Sequence, residues 1–349
     1  MNLDTLNQLP EPLLAWYDQN RRILPWREQP EPYRVWVSEI MLQQTRVEAV
    51  IDYFQRFMAA LPTVEALANA PEEMLLKLWE GLGYYSRVRN LQKAAKIIME
   101  QHQGQVPCSY KDILALPGVG QYTAGAICSI AFGLPVPAVD GNVLRVASRI
   151  AGDSSNTSLE KVKQAYREKI KEIIPPGAAS RFNQGLMELG AIICLPNGAP
   201  KCLLCPACGF CAACRGGNPQ DYPVKAAKQP RRTENRQVIL LVSPFGVALR
   251  QRPAKGLLAG IWEFPNWLEE EVSPIGQLGC ALGKKIALGK AKHIFTHIQW
   301  NMEGSLYLTE PFPLPAGWRW ASRRELKEEI ALPSAFRAYT KQLLAGDWI

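Results

Sequence analysis

The sequence predicts a multidomain protein, an all-α N-terminal domain followed by an α+β domain, on three observations. From Leu13 to about Gly190 the apolar residues recur at helical spacing, as in VWVSEIMLQQTRVEAVIDYFQRFM and LWEGLGYYSRVRNLQKAAKIIMEQH, with few β-branched alternations. The stretch RGGNPQDYPVKAAKQPRRTENR is rich in Gly, Pro and charge and has no apolar period, which marks a linker. Beyond it QVILLVSPFGVALRQRP reads as two short strands around a turn, and HIFTHIQWNMEGSLYLTE alternates with period two through an Asn-Met-Glu-Gly turn. The expected divisions are 1–214 for the α domain, 215–235 for the linker and 236–349 for the α+β domain.

The 349 residues are 47% hydrophobic and 21% charged, a balance that excludes a disordered chain. MNLDTLNQLPEPLLAWYDQN lacks a basic stretch followed by an unbroken apolar run, and no segment reaches the length of a membrane span. The expected location is therefore cytoplasmic, with the nucleoid if the source is a bacterium, and no membrane partner is expected. In a reducing compartment a cysteine cluster binds metal or does redox chemistry sooner than it forms disulfides. Forty Lys and Arg against 32 Asp and Glu permit a polyanionic partner. The surplus lies beyond residue 214, where 19 basic side chains face 12 acidic ones; before it, 21 face 20. An N-terminal part that binds DNA would do so through local arrangement, not bulk charge.

Along the chain, WVSEIMLQQTR sets Glu39 among Val37, Ile40, Met41 and Leu42, company in which a carboxyl keeps its proton near neutrality. The competing reading is a solvated helix face, because Glu39, Gln43 and Arg46 fall at i, i+4 and i+7. In LPGVGQYTAGAICSIAFGLPVPAVDGNV, Pro117, Gly118 and Gly120 make a tight turn between two helices, a helix-hairpin-helix over about residues 112–133. A Gly-rich turn that opens a helix leaves backbone N–H groups free to hold a phosphate, although such a connection taken alone is commonplace. Asp140 follows, ahead of Gly-Asn at the start of a helical run, where it also makes a good N-cap.

Six of the nine cysteines lie in CLPNGAPKCLLCPACGFCAAC, residues 194–214, close enough for one loop to wrap several thiolates around one centre. The close pairs Cys202/Cys205 and Cys211/Cys214 suit tetrahedral zinc. The set Cys194-x7-Cys202-x2-Cys205-x5-Cys211 suits a [4Fe-4S] cluster. Near the C-terminus RRELKEEIAL looks superficially like part of a nudix box. PFPLPAGWRWAS before it has no acid to complete a metal cluster, so the segment reads as a solvated helix.

The C-x2-C-x5-C run and the hairpin followed by an aspartate resemble the endonuclease III superfamily of DNA glycosylases. Members usually have six residues between the first two ligands where this chain has seven, and Cys208 and Cys214 have no counterpart there. The superfamily's Schiff-base lysine, in a context like QYTAG, is matched by Tyr122, so no lyase step is expected. LPWR, VWVSEIMLQQT and GLGYYSRVRNL together resemble the MutY family of adenine DNA glycosylases. The resemblance implies Glu39 as general acid and Asp140 as stabiliser of the sugar cation, assisted by Tyr122 and Asn142. It implies Gln44, Leu82 and Tyr84 as side chains that fill and wedge the duplex when a base is flipped, Arg27 and Gln184 as pocket residues, and Gly118 and Gly120 as the hairpin's phosphate-holding turn. It implies a [4Fe-4S] cluster on Cys194, Cys202, Cys205 and Cys211. GLLAGIWEFPNW resembles the MutT-like domain appended in that family, whose Phe-Ser-His loop reads the base opposite adenine and is matched by Phe295-Thr296-His297. Without the resemblance, His297 would pass for a strand-end histidine bonded to a backbone carbonyl. The expected substrate is double-stranded DNA with adenine opposite 8-oxoguanine or guanine, and the expected state a monomer. A thymine-mismatch glycosylase of the same superfamily and a non-catalytic iron-sulfur DNA-binding protein are the alternatives.

Overall fold

Proline opens the helices Pro10–Asn20, Pro25–Glu28 and Pro32–Leu42, at a position where its missing N–H has no intrahelical partner to lose. The computed structural model describes residues 2–224, 230–273, 276, 278–279 and 281–348, so residues 225–229 of the stretch read as a linker lie outside the described residues. The chain divides into two compact units. The first comprises Met1–Asn69 and Asn90–Ala227, the second Ala70–Arg89 and Lys228–Ile349. Among the described residues no helix is long and apolar enough to cross a membrane.

The first unit is helical. Gln121–Phe132 is buried along nearly its whole length and ends at Gly133 in the left-handed conformation, a frequent helix stop. Gly125 on that helix allows close approach of the Pro137 carbonyl, which a Cβ there would meet at 2.1 Å. Asp140 caps Gly141–Ala151 by accepting from the N–H groups of Asn142 and Val143. Ala179–Ile192 packs Phe182, Leu186 and Leu189 into the same core as Val143, Val146 and Ile150, with Gly190 passing so close to Asn142 that a Cβ would lie 2.6 Å from its Cβ.

The second unit is built on a mixed sheet of β1 (Arg232–Ser243), β2 (Gly246–Gln251), β3 (Trp262–Glu263), β4 (Asn266–Leu268), β5 (Leu282–Ile294), β6 (Ile298–Thr309) and β7 (Trp318–Ala321). The described strands run β3-β2-β1-β6-β5, with β4 on β1 and β7 on β2. β1 and β6 are parallel, from Arg232 opposite Ile298 to Val242 opposite Leu308. β1 thus begins inside the stretch read as linker, because pairing with β6 recruits polar residues that carry no apolar period. Arg323–Glu328 starts with a Ser322/Glu325 capping box and buries Leu326, its other residues being largely exposed.

One expectation is corrected. Asn301-Met302-Glu303-Gly304 is not a turn; it lies within β6, and the chain reverses at Phe295–His297 between β5 and β6. Gly304 serves packing instead, since a Cβ there would lie 2.2 Å from the buried Tyr339 ring. Gly304→Ala is expected to destabilise the second unit by about 1–3 kcal/mol through overpacking. Urea denaturation checks it, and an unchanged midpoint would show that the ring moves aside freely.

Candidate active site

The helix Pro32–Leu42 is buried on almost every side, at Tyr33, Val35, Trp36, Val37, Ser38, Ile40 and Met41. A helix of this kind carries its one acid inward with the rest. Glu39 is 5% exposed, which excludes the solvated-face reading. Its Oε2 accepts a hydrogen bond of 2.7 Å from the Tyr122 hydroxyl, which also lies 3.1 Å from Met187 Sδ. Burial pushes the Glu39 carboxyl up to about 7, the Tyr122 bond and Arg27 opposing this in part while Asp140 adds to it. The acid is poised to give up a proton near neutrality.

Asp140 faces the same cavity in a different environment. Its Oδ1 accepts from the backbone of Asn142 at 2.9 Å and of Val143 at 2.8 Å, and its Oδ2 from Asn142 Nδ2 at 2.7 Å. Burial raises its pKa, while these bonds and Arg145 act against the rise. The two carboxyls thus stand in different environments, one with a single donor and one with three at a helix start. Arg145 extends the support: Nη2 donates to Asn142 Oδ1 at 2.9 Å and to Gly190 O at 2.7 Å, and Nε to Cys194 O at 2.8 Å.

The cavity, about 440 Å³, is lined by Arg27, Glu39, Gln44, Tyr122, Asp140, Asn142 and Gln184, seven positions drawn from five separated stretches of sequence, together with Trp26, Met187 and others. Gln44 has φ of +58°, a strained conformation for a residue with a side chain, just after the helix that carries Glu39. Two further lining residues, Arg22 and Glu188, carry no motif in the sequence. The Glu188 side chain is fully buried, and its carboxylate is gripped by Arg22 Nε at 2.7 Å and Arg27 Nη2 at 2.8 Å. Burial alone would raise the Glu188 pKa, but the two guanidiniums prevail and hold it at about 2. Its signal in the sequence is slight, a position four residues after Gln184 on one helix face.

Gly118 has φ of +77°, and Gly120 caps the helix Gln121–Phe132 without any side-chain bond to its first N–H groups. In the second unit Leu82 is buried and Tyr84 is half-exposed with φ of +48°, its hydroxyl 2.5 Å from Thr296 Oγ1. Phe295 packs edge-on against Trp300 and His293, and the His297 carbonyl accepts from Arg232 N–H, so this reversal is fixed from beneath.

The six cysteines of the loop line one cavity, with Val146, Arg149, Ile150, Leu189 and Ile193. Cys194, Cys202, Cys205 and Cys211 lie within electrostatic reach of one another. Arg149 Nη1 donates to Cys194 Sγ at 3.2 Å. Burial pushes the Cys205 thiol up to about 12, so its thiolate needs a metal's charge to persist. Four thiols with a guanidinium beside one of them fit a metal-sulfur centre. Among the described residues no three His, Cys, Asp or Glu converge as a single ion would require.

Residues 37–172 match the family described as HhH-GPD superfamily base excision DNA repair protein, and residues 237–342 match the NUDIX domain. The adenine DNA glycosylase of Homo sapiens is 35% identical over an alignment covering 95% of this chain and 73% of the human protein. That of Buchnera aphidicola subsp. Schizaphis graminum is 36% identical over 73% of this chain and 74% of its own. Among solved structures, a thermostable thymine-DNA glycosylase superposes with a TM-score of 0.57 at 31% identity, covering 61% of this chain and 98% of that one. An endonuclease III-DNA complex, at 23% identity and a TM-score of 0.53, shares the fold. The likeness to the adenine enzymes runs through both domains, and on it the chain belongs to the adenine DNA glycosylase family, hydrolases that act as DNA N-glycosylases in base excision repair.

Proposed function

We propose that this chain removes adenine mispaired with 8-oxoguanine or guanine in double-stranded DNA, with Glu39 as acid and Asp140 as cation stabiliser. The observation that carries the reading is the pairing of a buried, Tyr122-bonded carboxyl with a triply bonded helix-cap carboxylate on one cavity of about 440 Å³. An adenine flipped into it takes the Glu39 proton on a ring nitrogen. The bond from that base to C1′ then breaks with its electron pair passing to the base, and Asp140 stabilises the positive sugar. Water adds at C1′ and its proton returns to Glu39. Tyr122 holds the Glu39 carboxyl, Asn142 the Asp140 carboxylate, and Arg27 with Glu188 forms a fixed polar wall. Gln184 lines the same cavity, and Gln44, Leu82 and Tyr84 serve the flipped-out duplex. The free N–H groups after Gly120 suit a DNA phosphate.

The test is base release from duplexes with A opposite 8-oxoguanine, A opposite G and T opposite G. Release from the first two, with strand scission only after alkali, is expected. Release of thymine alone would give the thymine-mismatch reading its place, and binding without release would leave a non-catalytic DNA-binding protein.

The Phe295-Thr296-His297 reversal is inferred to read the lesion, whose N7–H donates and whose O8 accepts, matching a hydroxyl and an imidazole that can each do either. His297→Ala is expected to lower discrimination between A opposite 8-oxoguanine and A opposite G by about 1–3 kcal/mol. Single-turnover rates and binding on the two duplexes decide it: an unchanged ratio removes His297 from the role, and equal collapse on both marks a folding defect.

A [4Fe-4S] cluster on Cys194, Cys202, Cys205 and Cys211 is the reading of the loop, supported by the spacing of the four thiols and by their lining one cavity. When bound it would cross-link a segment too short to build its own core. Protein isolated anaerobically should be brown and contain iron and sulfide; one zinc and no iron would sink the assignment.

A further inference from the structure

Two thiols of the loop are left over when the cluster takes its four. Cys208 and Cys214 stand three residues beyond Cys205 and Cys211. The chain between them turns back: Cys208 N–H donates to Cys205 O at 3.1 Å, Cys211 N–H to Ala207 O at 2.8 Å, and the helix Ala212–Arg215 begins at once. Ala207 and Ala213, beside the two cysteines, are buried and anchor both ends of the turn. The outcome is that the two sulfurs lie 2.8 Å apart in direct contact. A disulfide holds its sulfurs about 2.05 Å apart, so a bond requires less than about 1 Å of approach. Both residues are half-buried and Gly209 next to Cys208 is exposed, which gives a small reagent access. Cys202 lies within electrostatic reach of the pair, which thus sits beside a thiol of the cluster set.

We propose that Cys208 and Cys214 form a reversible dithiol site that reacts with low-molecular-weight disulfides of the glutathione class before the cluster thiols do. The Cys208 thiolate attacks one sulfur of the reagent, forming a mixed disulfide and expelling one thiolate. Cys214, having lost its proton to water, attacks the Cys208 sulfur, forms the intrachain disulfide and expels the second thiolate. Protein loses two electrons and two protons; the reagent becomes two thiols. Excess thiol runs both steps backwards. The site spares the neighbouring thiols because they are engaged with metal, while the pair is already in contact. It rests on the cluster reading for which thiols are spare and for what protects the others.

The test uses the full holoprotein, isolated anaerobically, exposed to increasing oxidised glutathione and quenched by alkylation. Chymotrypsin cutting after Phe210 separates Cys208 from Cys211 and Cys214, so mass spectrometry sees the bond as two joined peptides, with fragmentation locating it. A Cys208–Cys214 link in most molecules, reversed by thiol and formed without loss of iron, is expected. In Cys214→Ser the link is replaced by a glutathione adduct that persists on Cys208. A link to Cys211, iron lost in step with oxidation, or absence of both link and adduct overturns the proposal. So does native holoprotein in which Cys214 resists alkylation while one of the four assigned ligands is labelled, because Cys214 would then be a ligand. Protein without iron defeats the cluster reading instead, and the link itself still decides the dithiol site.

Discussion

Replacement of Glu39 by Gln reduces base release by at least about 10²–10⁴-fold, the usual contribution of a positioned acid, while duplex binding stays near that of the wild type. The amide keeps the shape of the carboxyl but has no proton to give adenine. Single-turnover kinetics on A opposite 8-oxoguanine measures it, and a wild-type rate at neutral pH would show that another acid works. Because burial raises the Glu39 pKa to about 7, the wild-type rate should fall as pH rises through that value and the acid form is lost. Stability follows with the same sign. An ordinary carboxyl near 4.5 in the unfolded chain ionises first, so stability is lost as pH rises from there to about 7. The full loss is on the order of 3 kcal/mol at 1.36 kcal/mol per pKa unit. Glu39→Gln carries no such cost, so its melting temperature should gain on the wild type between pH 5 and pH 8. A constant gap would mean that the carboxyl titrates at its ordinary value.

Asp140→Asn lowers the rate by about 10²–10³-fold, the scale on which one positioned charge or donor acts in a transition state. Asparagine caps helices as well as aspartate does, so its Oδ1 can still accept from the N–H groups of Asn142 and Val143, while the negative charge on the cavity and the bond from Asn142 Nδ2 are gone. The diagnostic is a lost rate with a stability loss no larger than that one bond, about 1 kcal/mol. If the asparagine variant melts as low as the alanine variant, the residue matters as a cap for Gly141–Ala151 and the charge assignment fails. Asp140→Ala, which removes cap and charge, should lose about 1 kcal/mol of stability beyond the asparagine variant.

Glu39 and Asp140 show how much of the site is legible in the sequence. Each has an ordinary alternative there, a solvated face for Glu39 and a helix cap for Asp140. Packing decides the first: a helix buried on all sides has no solvated face. For Asp140 the alternative is not a rival at all, since the cap bonds are the donors that support its carboxylate. Arg22 and Glu188 are illegible because an ion pair spanning 166 residues of sequence leaves no periodic trace. The Asn-Met-Glu-Gly stretch misleads for a related reason, as a glycine inside a strand can mark the close approach of another group, here the Tyr339 ring, instead of a turn.

The sequence by itself determined what depends on local order: the helical and sheet parts, the hairpin with its glycines, the spacing of the cysteines, and the motif words that carry Glu39, Tyr122, Asp140 and Asn142. The tertiary structure alone decided what depends on which distant groups share a space. It put Tyr122 on Glu39 at 2.7 Å, locked Glu188 between two arginines, moved the reversal of the sheet to Phe295–His297 and brought Cys208 against Cys214. The division has a physical cause. Helix and strand periods are set by backbone geometry over a few residues, whereas desolvation, ion pairing and the proton affinity of a carboxyl are set by neighbours that only the folded chain assembles.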